Sequence, residues 1–187
     1  MHPAIFLDRD GVIIENRPNY VRSWADVDVY GQALAALTAW RDSPYKIIIV
    51  TNQSAVGRGI ISLAAAQAIN ERLVQVIEGE NGRIDGTYLC PHAPEKGCAC
   101  RKPQPGMLLQ AAEEHEIDLS RSVMIGDALT DLEAGLRAGV AEVMLLQTGR
   151  GRAQSQLPEA ARFAPLNLHQ DLFSALAAYR ANQKSGT

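Results

Sequence analysis

The sequence predicts an α/β protein, a doubly wound (Rossmann-like) parallel sheet of about five strands within 187 residues. Three observations carry that prediction. Short apolar runs at residues 4–7, 46–50, 87–90, 122–126 and 142–146 have the length and composition of strands buried on both faces. Segments with helical spacing of apolar residues separate them, and a strand–helix–strand alternation calls for parallel strands joined by right-handed crossovers. Three of the runs stop abruptly at polar or acidic residues, Asp8, Thr51 and Asp127, as strands do when their carboxyl ends border a site.

Length and 47% hydrophobic content suffice for one complete core, so one domain over residues 1–187 is expected. The net charge of −3 shows no block asymmetry, which speaks against nucleic-acid and anionic-membrane partners. No apolar run reaches the roughly eighteen residues of a membrane span, and the chain enters its first strand without a basic-then-apolar leader. A cytoplasmic protein is expected. All three cysteines, Cys90, Cys98 and Cys100, fall within eleven residues, which suits a metal site better than a disulfide framework.

The first strand leads directly into Asp8-Arg-Asp10-Gly11. The i, i+2 spacing puts both carboxylates on one side of an extended chain, and Gly11 permits a sharp exit. Two close carboxylates repel, so a proton or a cation must join them, and magnesium answers that demand with a preference for carboxylate, carbonyl and phosphate oxygens. Residues 15–20 read as a loop over this strand end, placing Arg17, Asn19 and Tyr20 either toward a ligand or simply in solvent. A helix from Gln32 ends before Ser43-Pro44, with Leu34, Leu37 and Trp40 near its apolar face.

The second strand stops at Thr51-Asn52-Gln53-Ser54, whose hydroxyl and backbone N–H groups suit phosphate oxygens. Ser62 caps the next helix, which carries Ala66, Ile69, Leu73 and Ile77 on its core face and closes at Gly79 and Gly82. The third strand opens into Cys90-x-His92 and then Cys98-x-Cys100. Three thiols and an imidazole make a closed Cys₃His set, the composition of structural zinc sites. The loop holds no apolar residue beyond Ala93 and Ala99, so an ion must shape it. Its product is the placement of Arg101 and Lys102, two cations that match a phosphoryl group and a second polar feature of its carrier.

Pro105 opens a further helix. The fourth strand ends at Gly126-Asp127, and Thr130-x-x-Glu133 reads as a capping box for a helix ending before Gly139. Asp131, in that helix's first turn, is explained by the positive helix end alone. After a fifth strand, residues 147–158 read as loop with Arg150 and Arg152 in solvent. A last helix over residues 172–179 precedes a disordered tail at 182–187.

In order, Asp8-x-Asp10, Thr51, Lys102 and Gly126-Asp127-x-x-x-Asp131 resemble the four motifs of the haloacid-dehalogenase (HAD) superfamily of phosphatases, over residues 4–150. With the Cys90-to-Pro103 stretch they are similar to its capless, zinc-containing branch, the D-glycero-D-manno-heptose 1,7-bisphosphate 7-phosphatases and histidinol-phosphate phosphatases. The Asp8-Arg-Asp10-Gly, Thr51-Asn-Gln-Ser54 and Arg101-Lys-Pro-x-Pro-Gly106 stretches are most similar to the heptose enzymes.

That resemblance implies a capless HAD fold with an inserted zinc loop at 90–100. It implies a nucleophile at Asp8 and an acid and base at Asp10, with magnesium on the Asp8 side chain, the Asp10 carbonyl and Asp127. Thr51 and Lys102 would steady the phosphoryl group. Arg17, Pro18, Asn19 and Tyr20 would line a sugar site with Asn52, Gln53, Ser54 and Arg101. Zinc would sit on Cys90, His92, Cys98 and Cys100.

The implied reaction is Mg-dependent removal of the 7-phosphate in heptose supply for lipopolysaccharide or a related glycan, by a monomer. The same chemistry on histidinol phosphate or a nucleic-acid 3′-phosphate is the alternative, and a non-catalytic zinc module binding nucleic acid is a rival of another class. Two departures from the heptose enzymes stand out: Ala128 where a lysine is frequent, and only five residues between His92 and Cys98.

Overall fold

The computed structural model describes residues 1–185. β1 (Ala4–Leu7) is followed by α1 (Gly31–Ala39), β2 (Lys46–Asn52), the single turn α2 (Ser54–Gly57), α3 (Leu63–Gly79) and β3 (Gly86–Cys90). Then come α4 (Gly106–Glu114), β4 (Val123–Gly126), α5 (Leu129–Ala138), β5 (Glu142–Leu146), α6 (Gly151–Gln154), β6 (Leu168–His169) and α7 (Leu172–Ser185). The sheet is parallel throughout, in the order β3-β2-β1-β4-β5-β6. It has six strands rather than about five, because the two-residue β6 pairs with β5 at the edge. A run of two residues carries too little periodicity to be read from sequence.

Alternation along each strand divides the core between two layers. Ile5, Leu7, Ile47 and Ile49 face α1, α3 and α7, packing on Leu37, Leu73 and Leu176. Ala4, Phe6, Ile48 and Val50 face the other way, onto Met107, Leu108 and Ala111 of α4 and Ala134 of α5. Burying strands on both faces is why they read as unbroken apolar runs. β1 lies between β2 and β4, so the chain winds outward from it in both directions. A crevice opens at such a reversal, beyond the carboxyl ends of the strands. Asp8 and Asp127, each one residue past a strand, stand on its two sides.

Several local readings change. α5 begins at Leu129, with Asp131 reaching back to accept from the Ala128 N–H at 3.0 Å. The cap therefore runs from Asp131 to Ala128 and not between Thr130 and Glu133. Residues 147–158 include α6, followed by 3₁₀ turns over Pro158–Phe163. α7 runs through Ser185, so the disordered tail expected from Asn182 is helical that far, while residues 186–187 lie outside the described residues. Among the described residues no helix is long and apolar enough to cross a membrane.

Candidate active site

The carboxyl ends of β1 and β2 and the first turn of α5 converge on Lys102. Its buried ammonium donates to Asp8 Oδ1 at 2.9 Å, to Asp131 Oδ1 at 2.7 Å and to the Val50 carbonyl at 2.7 Å. That accounts for all three of its N–H bonds. Burial works against its charge, but the flanking carboxylates of Asp131 and Asp8 outweigh it and raise the Lys102 pKa. Asn52, at the end of β2, clasps the backbone of the same residue: its amide donates to the Lys102 carbonyl and its oxygen accepts from the Lys102 N–H, both at 3.1 Å.

Asp8, Asp127 and Asp131 are buried, and one oxygen from each lies within 4.8 Å of the others. Burial pushes the Asp8 carboxyl up to about 6; Lys102 opposes the shift, and Asp131 and Asp10 add to it. Asp127 is likewise raised by burial and by Asp8, against the pull of Arg150. Arg150 meets Asp127 through its backbone N–H at 2.8 Å and its guanidinium at 3.0 Å, and the Asn16 amide donates to the same carboxylate. Two glycines make room, since a Cβ on Gly11 or Gly149 would collide with the Asp127 carboxylate. A Cβ on Gly126 would collide with Asp131 in the same way, so that strand end admits only glycine.

Hard, buried carboxylate oxygens in this number fit a magnesium ion. Asp8 and Asp127 lie close together, and Asp131 joins them. With its oxygens on Lys102 and Ala128, Asp131 holds the lysine as well as the helix end, a larger part than capping alone. The Asp10 side chain belongs to a different group. Its Oδ2 accepts from Gln53 Nε2 at 3.0 Å, with Thr51 Oγ1 at 3.5 Å, and both its oxygens face the Arg9 guanidinium.

Asp8, Asp10, Asp131 and Lys102 border a cleft of about 580 Å³, and Asp127 lies outside its lining. Asp8, Asp10, Thr51 and Lys102 form its floor, and Arg17, Pro18, Tyr20, Asn52, Gln53, Ser54 and Arg101 contribute to its walls. Asn19 does not line it. Its carbonyl accepts from Arg22, and the left-handed Tyr20 (φ 66°) turns the chain so that Pro18 and Tyr20 reach the cleft instead. Arg17 lines the cleft while its guanidinium is bonded to the Asp26 carbonyl and to Asp28. Arg101 donates to the His92 carbonyl at 3.2 Å, which ties its side chain to the thiol loop.

That loop draws Cys90, His92, Cys98 and Cys100 into one cluster. The sulfurs of Cys90, Cys98 and Cys100 lie 3.2 to 3.6 Å apart, and His92 Nδ1 is 3.3 Å from Cys100 Sγ. Four ligands around a tetrahedral zinc sit about 3.8 Å apart for sulfurs at ~2.3 Å from the ion. The cluster therefore has nearly the dimensions of a zinc shell, and its donor set fits. Without an ion the three thiols divide: burial works against ionisation of Cys98, yet hydrogen bonding to Cys100, Arg101 and Cys90 brings it down to about 7, while burial pushes the Cys90 and Cys100 thiols up. Two glycines grip the loop: a Cβ on Gly57 would strike the backbone of Pro91 and Ala93, and one on Gly106 that of Ala99.

A HAD-hydrolase-like family model matches residues 99–172. The D-glycero-beta-D-manno-heptose-1,7-bisphosphate 7-phosphatase of Bordetella bronchiseptica is 39% identical over 164 residues, covering 84% of this chain and 89% of the relative. The chain belongs to that phosphatase family. Another member, from Helicobacter pylori strain J99 and bearing the same beta name, is 44% identical over 144 residues, or 76% of this chain and 82% of that one. A Photorhabdus laumondii member named for the alpha anomer is 36% identical, over 77% and 82% of the two chains. The crystal structure of the B. bronchiseptica D,D-heptose 1,7-bisphosphate phosphatase, complexed with magnesium and phosphate, superposes at a TM-score of 0.85 with 33% identity, covering 96% of this chain and 99% of that one.

Position 128 itself brings no charge to the site, since it is an alanine in this chain. Ala128 is buried and serves α5 through its N–H, and the guanidinium of Arg150 supplies the cation beside Asp127. Arg150, Asn16 and Gly149 were not singled out in the sequence as site residues. They come from two loops that carry no apolar period, and only the close approach to Asp127 marks them.

Proposed function

We propose that this protein is a magnesium-dependent phosphatase that removes the 7-phosphate from D-glycero-D-manno-heptose 1,7-bisphosphate through an aspartyl-phosphate on Asp8. The observation that carries the reading is the cleft floor, where buried Asp8 lies against Lys102, with Asp10, Gln53 and Thr51 beside it. The names of the relatives support the substrate.

In the first step an Asp8 oxygen bonds to phosphorus, the bond from phosphorus to the sugar oxygen breaks, and Asp10 gives that oxygen a proton. In the second, water attacks the same phosphorus and Asp10 takes its proton. The bond to Asp8 then breaks, releasing phosphate and restoring the carboxylate. Thr51 offers its hydroxyl to the phosphoryl oxygens and Lys102, whose N–H bonds go to the protein, offers its positive charge, which matters because this transfer depends mainly on positioning and charge neutralisation. Magnesium, when bound by Asp8, Asp127 and the Asp10 carbonyl, supplies positive charge to those oxygens. Arg101 and Arg17, with Pro18, Tyr20, Asn52, Gln53 and Ser54, bound the space for the sugar. Zinc on Cys90, His92, Cys98 and Cys100 shapes the loop that delivers Arg101 and Lys102. The chain works as a single domain and a monomer in the cytoplasm, supplying heptose for lipopolysaccharide or a related glycan, with no nucleic-acid or membrane partner.

The test is phosphate release, with and without magnesium, from both anomers of heptose 1,7-bisphosphate, from histidinol phosphate and from a 3′-phosphorylated oligonucleotide. Magnesium-dependent release of one phosphate per bisphosphate is expected. Preference for either of the other substrates overturns the substrate assignment.

A further inference from the structure

Arg9 is a buried cation outside the phosphoryl-binding set. Only 1% exposed, it lies between the two acidic residues of the first strand end yet turns away from the nucleophile. Its Nε donates to Asp10 Oδ2 and its Nη2 to Asp10 Oδ1, both at 3.1 Å, in a two-point fork. Its Nη1 donates to Asn70 Oδ1 at 2.7 Å. Asn70 sits in the middle of α3, 3% exposed, in a stretch whose neighbours Ile69 and Leu73 face the core. A buried polar side chain on such a helix is unfavourable unless bonded, and a buried guanidinium more so.

We infer that Asn70 and Arg9 are positioning residues that set the orientation of Asp10 from behind, so that its carboxyl faces the leaving-group oxygen. The inference rests on the acid and base role proposed for Asp10. A guanidinium is planar and its fork is rigid, so bonds at Nε, Nη2 and Nη1 fix it in its plane. Asn70 anchors the far end of that plane to a seventeen-residue helix. Gln53 holds Asp10 from the cleft side at 3.0 Å, so the carboxyl is clamped between a helix and a strand end. Without Asn70 the guanidinium can pivot and take Asp10 with it. Neither Asn70 nor Arg9 lines the cleft, so neither holds phosphate directly.

Asp10 acts in both steps, which provides a readout that simple loosening of the fold does not. A sugar alkoxide needs the proton of Asp10 to leave, whereas 4-nitrophenolate does not. With 4-nitrophenyl phosphate, misplacing Asp10 spares formation of the aspartyl-phosphate and slows its hydrolysis. We therefore expect Asn70→Leu to lower kcat for the heptose bisphosphate by roughly 10- to 100-fold, below the ~10²–10⁴-fold reach of a whole acid–base group, with KM within about twofold. The same variant should release a burst of nitrophenolate approaching one per active site and then turn over slowly. Asn70→Asp, which keeps the accepting oxygen, should retain kcat within about threefold. Arg9→Lys, which keeps the charge and loses the fork, should behave as Asn70→Leu does and supplies the test if the leucine variant does not fold. Unchanged kcat in either defective variant overturns the inference, as does a raised KM with no burst. Wild-type turnover by Asp10→Asn instead overturns the mechanism on which the inference rests.

Discussion

The acidic floor and the thiol loop face the same problem by opposite routes. Each gathers like-charged or potentially charged ligands: three carboxylates in one, three thiols and an imidazole in the other. In the floor the fold itself supplies compensating cations, Lys102 between Asp8 and Asp131 and Arg150 on Asp127, brought from distant parts of the chain. The loop has no such cation within its cluster and draws its ligands from eleven consecutive residues. A site at the ends of buried strands is held by the core beneath it; a site on an exposed loop is held by what it binds. The two meet at Arg101 and Lys102, where the loop delivers its product to the floor.

The largest effect that would test this contrast is Asp8→Asn. Turnover should fall by about 10⁴-fold or more, while the melting temperature stays level or rises, because a neutral amide suffers less from burial than a carboxylate. A collapse of the fold would show that the floor depends on Asp8 for its structure.

Lys102→Met comes next. It leaves Asp8 and Asp131 buried without their shared cation and should cost on the order of 3 kcal/mol in urea unfolding, along with activity. An unchanged midpoint would mean that the floor is not held by its ion pairs.

Cys98→Ser should release zinc and lower thermal stability, and activity should drop about tenfold as the loop carrying Arg101 and Lys102 loosens. Zinc content, melting and turnover are measured on the same sample. Full activity without zinc would make the loop as self-sufficient as the floor and remove the contrast.

The smallest effect is in pH. The Asp8 pKa is raised by burial to about 6, above the ordinary 3.8, so the metal-free fold binds this proton more tightly than the unfolded chain does. The stability tied to that proton is present at low pH and is lost as pH rises through about 6. Magnesium competes with the same proton, so its apparent affinity should weaken below about pH 6, by up to ~10-fold per pH unit. Magnesium titrations at two values on either side decide it, and a flat response would mean that Lys102 keeps Asp8 ionised throughout.

The same contrast explains what could be read from sequence. The thiol cluster was legible because its geometry is local, and Cys90-x-His92 with Cys98-x-Cys100 carries its own spacing. The strands were legible because burial on both faces writes them as apolar runs. Asp8, Thr51 and Asp127 followed, since each ends such a run. What escaped was set by tertiary approach. Asn70 looks like any polar residue on a helix until Arg9 is found behind it, and Gln53 reads as a wall of the sugar site until its amide is seen on Asp10 and Thr51. Arg150 sits in a stretch with no pattern and gains meaning only from Asp127. Asn19 stands outside the cleft lining where Tyr20 turns left-handed, a local geometry that no composition records.

The clasp between Asn52 and Lys102 has a consequence for how the molecule tolerates change. By bonding both the N–H and the carbonyl of Lys102, the Asn52 side chain imitates a neighbouring strand residue and locks the loop's exit to the sheet in register. Residues 94–97, between the two halves of the thiol cluster, are all exposed. The stretch ahead of Cys98 is thereby insulated from the residue that matters after it. Lengthening it, or fusing a fluorescent reporter there, should leave Lys102 where it is, making this tip a natural graft point and a place where lineages can differ in length without relearning the chemistry.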